Sequence, residues 1–157
     1  MSETETSTAC SDTASFHNDP VAERNVVIFA YALDGKGGAT AIREPSPRGD
    51  APTWFHIDYS APQAVRWLTD VGLPEEAIQS VVSNETRPRT VVTSEGTLIF
   101  LRGVNLNPGA DPEDMVSIRL WVQPGRVVSV RRRRLLAAQD VQAERERGHG
   151  PRDVPEV

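Results

Sequence analysis

Lysine and cysteine are almost missing from this sequence: Lys36 and Cys10 are single occurrences in 157 residues. One cysteine excludes an intramolecular disulfide, so the fold cannot rest on that staple, and such usage suits a reducing compartment. The basic residues other than Lys36 are all arginine, which reflects coding bias first and bidentate recognition second. A formal net charge of -5 gives no overall pull toward nucleic acid. No apolar run reaches the ~18 residues a membrane helix needs, and no basic-then-apolar leader opens the chain. Histidine is scarce too. His17, His56 and His149 fall in no HxH or HxxxH spacing, and no CxxC is present, so a zinc site cannot be assembled locally.

The length fits one domain with a core of its own. Residues 1–24 are rich in Ser, Thr, Glu and Asp and poor in branched apolar residues; burial cannot offset their ordering entropy, so a disordered tail is expected. The domain is expected over 25–148. Its organising stretch is 97–134, read as three consecutive strands. Residues 97–104 are apolar at both parities, as in a strand covered on both faces, and are expected to be the central strand. In the next strand Val116, Ile118, Leu120 and Val122 alternate with Ser117, Arg119 and Trp121, which assigns the first set to the core. Pro124 and Gly125 turn that strand back into a hairpin ending near Val130.

Further strands are expected at 25–33, 39–43, 53–59 and 89–93. Ser60 and Gln63 have capping-box spacing before the stripe Ala64, Trp67, Leu68 and Val71, which Gly72 ends. A second helix follows, with Pro74, Glu75 and Glu76 in its first turn and Ile78, Val81 and Val82 on its apolar side. A third runs over 135–147, before Gly148. About seven strands and three helices make an α/β layered domain with a largely antiparallel sheet.

Sites are harder to read. His56 alternates within a strand and reads as a satisfied sheet residue. Asp111, Glu113 and Asp114 lack the spacing and glycine of a calcium loop. The glycines at 35, 37 and 38 are not followed by GK[ST] and read as a tight turn. The run 131–134 is all arginine, but no aromatics interleave and a strand-to-helix position splits its directions, so nucleic acid is not an expected partner. No nucleophile and base set supports an enzyme. Catalytic and cofactor residues are therefore none, and metal ligands unknown. Arg87 and Arg89, two fork-shaped donors bracketing Pro88, are structural candidates for holding the helix-to-strand corner through carboxylates or helix carbonyls.

The segments FAYALDGKGG (29–38), TWFHIDYSAPQAVRWL (53–68), ETRPR (85–89), TLIFLRGVNLNPG (97–109) and MVSIRLWVQPGRVVSVRRRRLLAAQDV (115–141) resemble the N-terminal cytoplasmic domain of CorA-type divalent-cation transporters, in particular the ZntB-like zinc-transporter branch. The resemblance implies an α/β/α sandwich at the rim of a homopentameric funnel on the cytoplasmic face of the bacterial inner membrane. It makes 149–157 a linker toward a stalk and two membrane helices. It implies a regulatory and scaffolding role, with zinc as transported ion and no bound cofactor. The family's Gly-x-Asn signature belongs to a membrane helix, so Gly103, Val104 and Asn105 match it by chance and no selectivity residue carries over. The competing expectation is a stand-alone module binding metal or a small anion through Arg87, Arg89 and the acidic loop.

Overall fold

A computed structural model describes residues 25–42, 51–111 and 113–150. The expected tail, with Cys10 and His17, and most of the expected linker lie outside these residues. The element order is β1 (Val27–Leu33), β2 (Ala39–Ala41), β3 (Thr53–Asp58), α1 (Ala64–Asp70), α2 (Glu75–Val82), β4 (Arg89–Val92), β5 (Thr97–Gly103), β6 (Val116–Gln123), β7 (Arg126–Arg131) and α3 (Leu136–Glu146). The strands form one sheet in the order β2-β1-β3-β7-β6-β5-β4. Every pair is antiparallel except β3 with β7, which run parallel from Thr53↔Arg126 to Asp58↔Arg131. Between those two strands lie both helices α1 and α2 and the β4-β5-β6 meander, the long crossover that a parallel pair requires.

The middle of the sheet is β7, which corrects the expectation that 97–104 is central. β5 is the second strand from the edge, flanked by β6 as expected, with Leu98 and Phe100 buried but Leu101 49% exposed. Apolarity at both parities thus does not mean equal cover on both faces. A second correction concerns β6. Val116 and Val122 are buried, whereas Ile118 and Leu120 are only half-buried, and the alternate residues Arg119 and Trp121 are each 1% exposed. The reason is cross-strand position: Leu98↔Trp121↔Val128↔Phe55 and Phe100↔Arg119↔Val130↔Ile57 form two rows on one face. Leu68, Val71, Ala77, Ile78 and Val81 of the α1–α2 layer close over it.

On the opposite face, Tyr31 and Trp54 meet α3. Gln142 Nε2 donates to the Tyr31 hydroxyl at 2.7 Å, which donates to Glu146 Oε1 at 3.3 Å, and the Arg145 guanidinium lies 5.2 Å from the Trp54 ring centre. The architecture is an α/β/α sandwich whose second helical layer covers only part of the sheet. Gly125, with φ of 72°, makes the Pro124 turn, and Gly148, with φ of 77°, ends α3. The expected capping box is not formed. A turn over 59–63 delays α1 to Ala64, and the Ser60 hydroxyl donates to the Asp58 carboxylate instead.

Candidate functional site

β3 and β7 end side by side, and the chain leaves them through Tyr59 on one strand and Arg132 and Arg133 on the other. Tyr59 is tied to the neighbouring strand end, its amide donating to the Arg131 carbonyl at 3.0 Å. Beside them β6 begins, and the α2–β4 connection passes with Asn84 and Thr86. These segments line a half-open cavity of about 180 Å³ into whose wall Arg119 is set. Parallel strand ends are where open α/β sheets place ligands, because side chains from several loops converge there.

Arg119 is the buried charge of this corner. Its Nη2 donates to the Ser83 carbonyl at 2.7 Å and, at 3.4 Å, to that of Glu85, while its guanidinium carbon lies 4.9 Å from the Tyr59 ring centre. Those carbonyls follow the last turn of α2, where acceptors lack intrahelical partners and the dipole is negative. Such contacts explain how a cation is held in the core. They leave Nε and Nη1 without partners, and no carboxylate pairs with Arg119 among the described residues. Nearby, Arg133 is paired with Asp114, and Arg132 is exposed.

Arg87 and Arg89 are placed beside this corner rather than in the cavity wall. The Arg87 amide donates to the Glu85 carboxylate at 2.9 Å, which holds that carboxyl below its usual range, and the Arg87 side chain is exposed. Arg89 lies with its guanidinium carbon 3.7 Å from the Phe100 ring centre and donates to the Arg87 carbonyl at 3.3 Å. The carbonyls beyond α2 belong to Arg119. Sequence reasoning missed Arg119 because it assigned the wrong parity of β6 to the deeper face; Trp121, two residues on, was the available signal.

On the other face His56 is buried against Phe29, ring centres 4.7 Å apart. Trp54 Nε1 donates to Ser129 Oγ at 2.8 Å, and Ser129 donates its one hydrogen to the Phe55 carbonyl at 3.2 Å. The 2.8 Å contact from His56 Nδ1 to the same Oγ is therefore satisfied by an Nδ1–H donor, leaving Nε2 as an unpartnered acceptor. Burial first, then the Arg131 charge, pushes the imidazole pKa down to about 4, against a smaller opposing effect of Asp58. The ring is neutral at pH 7. His149 instead faces Glu144 at 3.3 Å on the surface. Asp111 accepts from the Glu113 amide at 2.9 Å. Among the described residues, no three His, Cys, Asp or Glu side chains group as metal ligands.

Residues 49–157 match the family model described as CorA-like Mg2+ transporter protein. The divalent cation transporter CmaX of Pseudomonas aeruginosa is 41% identical over 140 residues, covering 83% of this chain and 42% of that protein. The zinc transport protein ZntB of Pectobacterium carotovorum is 37% identical over 128 residues, covering 80% and 39%. The crystal structure of the ZntB cytoplasmic domain from Vibrio parahaemolyticus superposes with a TM-score of 0.72 at 25% identity, covering 82% of this chain and 52% of that one. This chain belongs to the CorA-like family. It spans about two fifths of the length of the curated relatives it matches, and no helix among the described residues is long and apolar enough to cross a membrane.

Proposed function

We propose that this chain is the cytoplasmic domain of a divalent-cation transporter at the bacterial inner membrane, with zinc as the transported ion. The observation that carries this reading is agreement at two levels. A sheet with helices on both faces superposes on a ZntB cytoplasmic domain, and a named divalent cation transporter shares 41% identity over most of the chain. Two curated names support different breadths: zinc for the ZntB relatives and divalent cations for CmaX. The domain's part is regulatory and scaffolding. It belongs to a homopentamer whose stalk and membrane helices supply the pore, and 149–157 is the connection toward them. Arg87 and Arg89 stiffen the corner between α2 and β4, where Arg89 stacks on Phe100 and Glu85 holds the backbone.

The half-covered sheet face agrees with such a setting. Ile99, Ile118 and Leu120 are only half-buried there and Leu101 is exposed, so the face has room for further helices of a longer protein. The test is a chimera in which residues 25–148 replace the matching part of CmaX in bacterial cells lacking their own zinc transporters. Cellular divalent-metal content, measured by mass spectrometry, is expected to depend on the chimera as it does on CmaX itself, because this domain would support a pore built from the CmaX membrane helices. No dependence for any divalent ion would overturn the transporter reading.

A further inference from the structure

We infer that the cavity walled by Arg119 is a binding site for a phosphate-type oxoanion, either free inorganic phosphate or the phosphate of a small monoester. Its starting point is a charge without a counterion. Arg119 is 1% exposed, yet it has only two backbone carbonyls and an aromatic ring for company, and its Nε and Nη1 hydrogens are unpartnered. A buried cation normally carries a carboxylate partner, because desolvation is otherwise uncompensated.

The surroundings select the sign and size of what would fill that role. Arg132 and Arg133 add two positive charges to the lining and Asp114 removes one, so the wall is net positive although the whole chain carries -5. Ser117, Thr86 and Asn84 bring neutral hydrogen-bonding groups. A volume of about 180 Å³ far exceeds the roughly 10–15 Å³ that admits one water, and it accommodates a five-atom oxoanion with a short appendage. Several arginines around one small space suit an anion with many acceptor oxygens and more than one charge better than a single carboxylate, which one guanidinium fork can satisfy. The location also fits, since the site lies just past the carboxyl ends of the parallel pair β3 and β7. An anion there would join three separate segments, the exits of β3 and β7 and the connection after α2. It would therefore couple the position of α2 to the supply of phosphate.

Calorimetric titration of the 157-residue chain at constant ionic strength, with inorganic phosphate and with glycerol 3-phosphate against a sodium chloride control, tests the inference. One saturable site is expected for at least one of the two phosphates and none for chloride; phosphate alone identifies the free ion, and glycerol 3-phosphate identifies the monoester. Arg132→Gln, at an exposed position, and Arg119→Gln should each weaken binding at least about tenfold, whereas Arg66→Gln, an exposed α1 residue paired with Asp70, should leave it unchanged. Should Arg119→Gln prove unfolded by circular dichroism, Arg132→Gln decides alone. No saturable heat with either phosphate overturns the assignment, as does unchanged affinity in Arg132→Gln or an equal loss in Arg66→Gln.

Discussion

His56 is a proton-sensitive point in the core, because its imidazole is neutral when folded and has an ordinary basicity when unfolded. The folded pKa of about 4 lies below the unfolded value of about 6.5, so the unfolded chain binds more protons between these limits and stability falls as pH drops through that window. The loss is on the order of 3 kcal/mol and is complete near pH 4. Asp34 and Glu85, both held below the usual carboxylate range by backbone amides, withdraw their contributions at still lower pH. Urea midpoints from pH 8 to 4 should decline in the parent and decline much less in His56→Gln; parallel curves would contradict this account of the ring. A subtler residue is Arg89. Lysine keeps its charge but not its planar stack on Phe100, so Arg89→Lys should lower stability by about 1 kcal/mol in the same assay.

Among the elements, β6 shows what sequence can and cannot specify. Alternation identified the strand, and the Pro124–Gly125 turn identified its hairpin with β7, because both signals are local. Which parity is deeper was not local. It was set when β7 paired with β3 and brought Val128 and Phe55 under α1 and α2. Trp121→Ala should therefore cost about 3–5 kcal/mol, and Leu101→Ala, on the poorly covered side of β5, about 0.5 kcal/mol. Similar melting temperatures for the two would refute the observed register. The candidate site was less legible than the fold for the same reason. Arg87 and Arg89 stood out beside a proline, while Arg119 was masked by an alternating pattern that placed it outside. Arg126, the first residue of β7, likewise carries no local signal of its contact: its guanidinium donates to the Val71 carbonyl at the end of α1. Arg126→Asp should cost about 1–2 kcal/mol by setting a carboxylate against that negative helix end, readable in denaturant titration.

At the scale of the whole molecule, a sheet with α1 and α2 on one face and α3 over part of the other agrees with the proposed place of this domain in a larger assembly. By itself it should sediment as a monomer or weak oligomer, since the stalk and membrane helices of the proposed pentamer are what would line the central axis. Zinc added to it should bind no more tightly than the micromolar range, about -8 kcal/mol, because the described residues bring no three ligands together. The transporter assignment is tested most directly by ion flux. The chimera of residues 25–148 with the remaining sequence of CmaX, purified and reconstituted in liposomes loaded with a dye that responds to divalent cations, should pass divalent cations at a rate comparable to CmaX itself. An assembled, membrane-inserted chimera that carries no divalent cation would contradict the account.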